Sequence, residues 1–200
     1  MIPVWIKLAY TLMVVVVVLV YWRKYGPGNF LWFSDIAMLG LVAALWLENS
    51  LLVSMMTVGV LIPELAWNAA YFYRLLTGLP MPGLGKLTDY MFEAQRPRWL
   101  RAMSLFHVPL PPLMIFALLG MGYDGRAIYC QTLLAWVVLG LSYALTARSE
   151  NVNWVHGVGP AGNTFGMSLW KYRLLQALVL PVGVLLPTHL ALLALIAPVR

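Results

Sequence analysis

The sequence predicts an all-α membrane protein with six transmembrane helices in a single domain spanning residues 1–200. Apolar residues make up 62% of the chain and charged residues only 10%, whereas a soluble domain carries roughly 25% charged residues. The apolar residues also form continuous stretches, which are typical of helices rather than of strands with alternating polarity. Both observations favour a polytopic helical protein.

Each of the six stretches is close to the ~20 residues that a helix needs to cross a ~30 Å hydrocarbon core. They lie at residues 3–22, 30–47, 51–73, 102–121, 128–146 and 172–197. Lys7 precedes an apolar run as in a signal peptide, but no small-residue cleavage site follows. Residues 21–24 instead form an aromatic and basic end typical of a membrane surface. We therefore expect the first span to be retained.

The longest connection, residues 75–100, joins spans 3 and 4. It begins with a turn-rich stretch of Gly and Pro at residues 78–85 and continues with an apolar side that includes Leu87 and Tyr90. This pattern predicts one short amphipathic helix in the membrane interface that ends at Pro97. The helix is expected to act either as a lid over a site or as a plain interfacial anchor.

The basic residues predict the orientation. Ten of the thirteen Lys and Arg residues fall in or near the connections that follow spans 1, 3 and 5, and only Lys7, Arg126 and Arg200 fall on the other side. Because Lys and Arg concentrate in cytoplasmic loops, both termini are expected outside a cytoplasmic (inner) membrane that the chain crosses several times. The net charge of +6 then reflects topology, and without a separate basic stripe no nucleic-acid partner is expected.

The single cysteine limits the cofactor chemistry. Cys130 lies inside span 5, where it excludes an internal disulfide and a cysteine metal cluster. We expect no metal ion and no cofactor.

Polar side chains gather at the cytoplasmic end of the predicted bundle. Ser34 and Asp35 lie five or six residues into span 2, which is roughly 8 Å at 1.5 Å per residue. His107 lies at a matching depth in span 4, Asn68 reaches this depth from span 3, and Glu64 lies one turn deeper on the same face as Asn68. Because polar groups at membrane depth are costly, their shared depth predicts a buried site that opens toward the cytoplasm.

Further candidates for substrate binding lie around this site. They are Trp32, Tyr143, Asn151, Asn153, Trp154 and His156. The two amides, the histidine and the glycines nearby could bind a polar head group, although a solvated loop has the same composition. His189 lies in the outer half of span 6, about 15 Å in depth from His107, so the two histidines are not expected to share a ligand.

The polar residues also have structural interpretations. A serine in a membrane helix often hydrogen-bonds its own backbone or packs at a helix interface, and His107 could be a hydrogen-bonded interface residue. Glu64 is expected to be protonated or paired, because an ionised carboxyl near the middle of the bilayer costs several kcal/mol.

Three short segments carry a family resemblance. They are residues 31–37 at the start of span 2, 104–107 at the start of span 4 and 151–154 after span 5. Together they resemble a six-helix superfamily that includes the YwaF-like bacterial membrane proteins and the eukaryotic androgen-induced membrane hydrolases with their acyltransferase relatives. The similarity covers roughly residues 29–190 in order and spacing. The whole chain is also similar to bacterial membrane-associated proteins, a likeness that implies no function.

The superfamily resemblance implies two catalytic positions. The threonine or cysteine nucleophile of the family falls on Ser34, and the family histidine falls on His107. The sequence departs from the YwaF-like pattern at Trp32, which stands where the family has a histidine, and at Val108, which stands where it has a glycine.

These residues together predict a hydrolase or acyltransferase that acts on a membrane lipid ester. Ser34 would be the nucleophile and His107 its general base, while Asp35 or Glu64 would orient the imidazole. Asn68 or Asn153 would donate to the oxyanion, and Trp32 or Trp154 would lie at the rim.

Two alternatives belong to other classes. A carrier of small solutes or lipids would use Pro63, Pro109, Pro181 and Pro187 as helix breaks along a polar path. A non-catalytic assembly subunit would use the nine Trp and ten Tyr residues as interface belts and would need no site.

Overall fold

The computed structural model describes residues 2–159 and 161–199, and the regular structure there is helical apart from two isolated bridges. The α-helices are α1 (Val4–Tyr25), α2 (Phe33–Leu47), α3 (Ser50–Thr77), α4 (Arg98–Met103), α5 (Leu110–Met121), α6 (Ala127–Leu145), α7 (Leu169–Leu180) and α8 (Leu186–Leu195). Short 3-10 turns occupy Pro27–Leu31, Gly85–Leu87, Asp89–Met91, Ser104–His107 and Val152–Trp154, and a π-helical turn at Pro181–Leu185 joins α7 to α8.

Within the described residues, five helical stretches are long and apolar enough to cross a membrane, whereas the sequence analysis predicts six spans. They are Val4–Tyr25, Ser50–Thr77, Arg98–Met121, Ala127–Leu145 and Leu169–Leu195. The helix Phe33–Leu47 is also apolar but shorter, about 22 Å long at 1.5 Å per residue. Large apolar side chains such as Trp5 and Leu133 point outward and are 70% and 63% exposed, which suits a surface that faces lipid rather than water.

Helix α3 lies at the centre of the bundle, where it packs against α2, α5 and α6. Half of its most apolar window is buried, compared with 17% for Leu169–Leu195. Asn49 caps its first turn by accepting the N–H of Leu52 at 3.0 Å. Gly59 allows α6 to approach closely, because a Cβ at this position would collide with the side-chain amide of Gln131.

Consecutive long helices run in opposite directions. At one end of the bundle Lys7 of α1 forms a 2.7 Å ion pair with Glu48 in the α2–α3 turn. At the same end Ser54, early in α3, accepts the N–H of Asp124 in the α5–α6 turn at 2.9 Å. The connections 78–97 and 146–168 therefore lie at the opposite end, where the polar candidates are found.

The predicted amphipathic helix in the long connection is absent from the described structure, so this prediction was wrong. The segment forms two single 3-10 turns at Gly85–Leu87 and Asp89–Met91. The Thr88 hydroxyl between them donates to the carbonyl of Gly85 at 3.4 Å, a local bond that competes with helix formation. Pro97 precedes α4 instead of ending a helix, which agrees with the preference of proline for helix N-termini.

Prolines also divide the two helices predicted at 102–121 and 172–197. The first is composite, since α4 passes into the 3-10 turn Ser104–His107 before α5 begins. The second contains the π-turn, in which the N–H of Leu186 reaches back to the carbonyl of Pro181. Because Pro187 has no N–H and its ring would clash with the carbonyl four residues earlier, a local widening of the helix accommodates it.

A buried glutamate–histidine pair as the candidate functional site

The candidate site is centred on a hydrogen bond between α3 and the 3-10 turn before α5. Nδ1 of His107 lies 2.8 Å from Oε2 of Glu64, and the side chains are only 11% and 3% exposed. A buried carboxyl needs such a partner, because an isolated charge in this environment costs several kcal/mol. With Nδ1 engaged by Glu64, Nε2 is the imidazole nitrogen left for proton exchange.

Asn68 fixes the backbone of the same turn. Its side-chain amide donates to the carbonyl of His107 and to the carbonyl of Glu64, both at 2.8 Å. The His107 carbonyl is free to accept because the residue four positions later is Pro111, which has no N–H. The sequence thus removes one helical hydrogen bond and supplies a side chain from α3 to replace it.

Aromatic rings enclose the imidazole. Trp67 stacks on His107 with ring centroids 4.5 Å apart, and Phe106 stacks at 4.1 Å. The Trp67 indole N–H donates to the Tyr90 hydroxyl at 3.1 Å, so the connection between α3 and α4 lies over this side of the site. These contacts restrict the ring to one orientation.

A cluster of hydroxyl groups adjoins the aromatic side. Ser104 lies 2.7 Å from the hydroxyl of Tyr21. Burial raises the pKa of Tyr90 to about 12, and the charges of Glu64 and Asp35 add to this shift while hydrogen bonds from Ser104 and Trp67 oppose it. Tyr90 therefore stays a neutral hydroxyl at physiological pH.

Asp35 is the second buried carboxyl at this end. It is 3% exposed, and its Oδ1 has no hydrogen-bond partner within the described residues. Its Oδ2 lies 3.5 Å from the amide nitrogen of Asn29, at the limit of a hydrogen bond.

Ser34 occupies the second position of α2 and is half-buried. Throughout the described residues, the side-chain hydrogen bonds include none between Ser34 and His107. The carboxyl that engages the imidazole is that of Glu64 rather than that of Asp35. Of the two acids that the sequence left open for this contact, the structure selects Glu64.

The two amides expected to donate to an oxyanion are already used. Both donors of the Asn68 amide are engaged as described above. The Asn153 amide donates to the carbonyl of Leu31 at 2.7 Å and to the Ser142 hydroxyl at 2.9 Å. Because an amide group has only two N–H donors, neither Asn68 nor Asn153 has a free side-chain N–H to offer to an oxyanion in this structure.

Asn151 and Asn153 instead hold the loop after α6. Asn153 Oδ1 accepts the N–H of Phe33 at 3.2 Å and so caps the first turn of α2. Asn151 donates to the carbonyls of Gly157 and Gly159 and accepts the N–H of His156 at 2.9 Å. Both asparagines have positive φ, 44° and 52°, a conformation that Asn tolerates better than most residues.

The remaining candidates lie in two places. Trp32 lies next to Ser34, between the 3-10 turn Pro27–Leu31 and α2. Tyr143, Trp154 and His156 lie with α6 and α7, where the Trp154 carbonyl accepts the Tyr172 hydroxyl at 3.0 Å and His156 contacts the Tyr143 ring at a centroid distance of 5.3 Å. His189 lies near the other end of the bundle, 2.6 Å from the Tyr123 hydroxyl.

Sequence reasoning missed Trp67, Tyr71 and Tyr90. Trp67 and Tyr71 follow Glu64 at i+3 and i+7 and stack on each other at 5.1 Å, a spacing that places them on the face of Glu64 and Asn68. This signal was available in the sequence. No comparable signal exists for Tyr90, because its position depends on the irregular connection.

Comparison of the chain with protein-family models, with curated proteins and with solved structures finds no significant match. The resemblance to the six-helix superfamily therefore stays a prediction. In the described part of the chain, no three His, Cys, Asp or Glu side chains are grouped so that they could hold a metal ion.

Proposed function

We propose that this protein is an integral membrane hydrolase or acyltransferase that acts on a lipid ester through Ser34, His107 and Glu64. The observation that carries the proposal is the buried hydrogen bond from Glu64 to Nδ1 of His107. A carboxylate at Nδ1 fixes the tautomer and stabilises the imidazolium that forms when Nε2 takes a proton, as in a catalytic triad. The aromatic rings and the Asn68 amide hold this base in place.

In the proposed reaction the Ser34 oxygen attacks the ester carbonyl carbon while His107 Nε2 removes the hydroxyl proton. The tetrahedral intermediate then breaks its bond to the leaving alcohol, which receives that proton, and an acyl-serine remains. Water or a second alcohol attacks the acyl group in the same manner and regenerates Ser34. In resting enzymes the hydrogen bond between nucleophile and base often tightens only with substrate present.

The oxyanion needs donors other than the Asn68 and Asn153 amides. The first N–H groups of a helix have no partner within the helix, and those of Ser34 and Asp35 belong to the first turn of α2. We propose that they stabilise the developing negative charge, with the help of the helix dipole.

The proposed substrate follows from the proposed membrane topology. We infer six crossings, with Phe33–Leu47 as the short second one, both termini outside and the Ser34 end of the bundle in the cytoplasmic leaflet. At this depth the ester of a membrane lipid reaches Ser34 while its acyl tails stay in the bilayer. Labelling of a cysteine introduced at the exposed Lys86 tests the orientation. We expect an impermeant thiol reagent to label this cysteine only after the cells are opened. Strong labelling in sealed cells would refute the inferred orientation.

Mutation of the proposed catalytic residues tests the activity. Ser34→Ala and His107→Ala should each lower lipid-ester turnover by at least ~10²-fold, which is a typical general-base contribution. The double variant should lose little more, because members of one catalytic unit are strongly non-additive. His189→Ala is the matched control and should stay within a few-fold of the parent. Similar losses in all three folded variants would contradict the proposal.

A reactive probe tests the nucleophile directly. A fluorophosphonate should label Ser34 in the protein reconstituted in lipid, and His107→Ala should slow this labelling. Labelling at another serine that survives in Ser34→Ala would overturn the assignment.

A proton-coupled carrier is the second candidate, and the observation that favours it is Asp35. A buried carboxyl with an oxygen that has no hydrogen-bond partner among the described residues can take up and release a proton, as such residues do in membrane transporters. Proton movement into sealed vesicles that is driven by a solute and lost in Asp35→Asn would support the carrier. Ester turnover without such movement would support the enzyme.

A further inference from the structure

A cavity of about 230 Å³ lies between α6 and α7, apart from the glutamate–histidine pair. Its lining includes Trp136, Leu139, Tyr143, Val155, Arg173 and Gln176. Most of this lining is apolar, and its polar groups come from Tyr143, Arg173 and Gln176. The cavity thus combines an apolar wall with the positive charge of Arg173.

Arg173 supplies the cation. Its guanidinium carbon lies 3.6 Å from the centroid of the Tyr143 ring. Its Nε is buried without a hydrogen-bond partner, and the ion pairs formed by the described residues include none with Arg173. Glu150 is the only acidic residue after Asp124 in the sequence, and its carboxylate accepts the N–H of Ala147.

His156 adds a second unpartnered group. It is 8% exposed, and within the described residues neither ring nitrogen has a hydrogen-bond partner. Its ring contacts Tyr143, the same ring on which Arg173 stacks. Buried polar atoms in native proteins are nearly always hydrogen-bonded. His156 is not part of the cavity lining, but its ring packs on Tyr143, which is.

We propose that this cavity binds the phosphate group of an anionic membrane phospholipid, with Arg173 as the donor and an acyl chain along α6 and α7. A guanidinium matches the geometry of a phosphate oxygen pair. Arg148 adds positive charge near His156. This site does not depend on Ser34 or His107, so it stands or falls separately from the proposed esterase activity.

A lipid fits the cavity better than a free anion. Trp136 and Leu139 line it, while Trp136 and Leu178 present large exposed apolar surfaces on α6 and α7. A phosphate that carries acyl chains fills both the cationic end and the apolar wall, and inorganic phosphate fills only the first. Anionic head groups also concentrate in the cytoplasmic leaflet, the side inferred for this end of the bundle.

Lipid retention tests the proposal with purified full-length protein. The wild type, Arg173→Gln, His156→Gln and Lys171→Gln are each reconstituted in nanodiscs containing phosphatidylglycerol and phosphatidylcholine, and the lipids that remain after detergent extraction are measured by native mass spectrometry. We expect the wild type to retain phosphatidylglycerol selectively and Arg173→Gln to lose about 10-fold or more of this retention, since bonds to charged groups are the strong ones. His156→Gln should lose less. Lys171, an exposed cation on the same helix, is the matched control and should lose at most ~2-fold, as expected for an exposed charge.

Three results would overturn the proposal. The first is equal retention of phosphatidylglycerol by the wild type and Arg173→Gln. The second is equal retention of phosphatidylglycerol and phosphatidylcholine by the wild type, a comparison that needs no variant to fold. The third is thermal stabilisation of the wild type by inorganic phosphate that matches stabilisation by phosphatidylglycerol at equal concentration, which would indicate a free-anion site.

Discussion

The two buried histidines at one end of the bundle differ in what their rings contact. The His107 ring is hydrogen-bonded to Glu64 and stacked by Trp67 and Phe106. The His156 ring has no hydrogen bond to a described residue, although its backbone N–H is held by Asn151 at 2.9 Å. The His107 ring is thus oriented by a hydrogen bond at Nδ1, and the His156 ring is positioned by its backbone and by its contact with Tyr143.

This difference matches the two proposals made above. An imidazole whose Nδ1 is held by a carboxylate has a defined tautomer, which suits the proton transfer proposed for His107. The His156 ring instead packs on Tyr143, on which Arg173 also stacks, next to the proposed lipid site. The predictions below change one region at a time.

The largest effect is expected for Glu64→Gln. This change keeps the size of the side chain but removes the charge that fixes and stabilises His107. Turnover of a lipid ester by the reconstituted variant should fall by about 10⁴-fold in kcat, as for an acid-to-amide change in a serine triad, with little change in KM. Steady-state kinetics on a fluorogenic ester measures both constants.

Asp35→Asn is the matched control for Glu64→Gln. It makes the same chemical change in the other buried carboxyl, whose Oδ1 has no described partner. We expect a loss of at most about 10-fold, because Asp35 does not engage the imidazole. A larger loss in Asp35→Asn than in Glu64→Gln would make Asp35 the orienting acid and remove the contrast between the histidines.

Helix depth alone is enough to place Asn68 and His107 at one level, with Glu64 one turn deeper, because the helical rise per residue is fixed. The contacts between them depend on local breaks that depth does not describe. Pro111 frees the His107 carbonyl for Asn68, and the 3-10 turn Ser104–His107 sets the direction of the imidazole. The rotation of Ser34 about its helix depends similarly on the 3-10 turn before α2, so helix depth does not determine which way Ser34 faces.

An effect of intermediate size, on the free energy of unfolding, is expected for Asn153→Ala. The side chain holds Leu31, Phe33 and Ser142 through three hydrogen bonds, and its positive φ disfavours alanine. The free energy of unfolding should fall by about 2–4 kcal/mol, since each unsatisfied buried group costs about 1–3 kcal/mol. Denaturant unfolding in detergent measures this change.

Asn163→Ala is the control for this measurement. Asn163 is an exposed asparagine in the same connection whose Oδ1 accepts the N–H of Phe165, so its loss should be about 1 kcal/mol or less. Asn153→Gly removes the φ penalty and should recover only part of the loss. Equal losses at both asparagines would mean that the loop carrying His156 is not held by Asn153, and the unpartnered ring would then reflect a loose loop.

The loop asparagines also mark a limit of sequence reading. The sequence Asn151 to His156 has amides and a histidine that suit a head group, and composition does not distinguish an amide that binds ligand from one that closes a turn. In the structure the amides satisfy backbone groups, and only the His156 ring is left without a described partner. The hydrogen bonds that each amide makes in the folded protein distinguish the two roles, and only a three-dimensional structure shows them.

The smallest effect is expected in the pH dependence of stability. Burial lowers the pKa of His156, and the positive charges of Arg148 and Arg173 add to this shift. The unfolded chain then binds a proton at a higher pH than the folded protein, so stability is complete above about pH 6.5, the ordinary value, and falls as the pH drops below it. His156→Gln should weaken this acid sensitivity. The change in the slope of the unfolding free energy against pH should correspond to at most one proton taken up on unfolding.

Thermal unfolding of the wild type and His156→Gln, in zwitterionic detergent between pH 7.5 and pH 5.5, measures the difference. Delipidated protein is needed, because a phosphate bound beside the ring would stabilise the imidazolium and oppose the shift. Adding back phosphatidylglycerol should therefore reduce the acid sensitivity of the wild type and leave that of His156→Gln unchanged. Identical pH profiles for the two proteins without lipid would show that folding does not change the titration of His156, and this prediction would then be wrong.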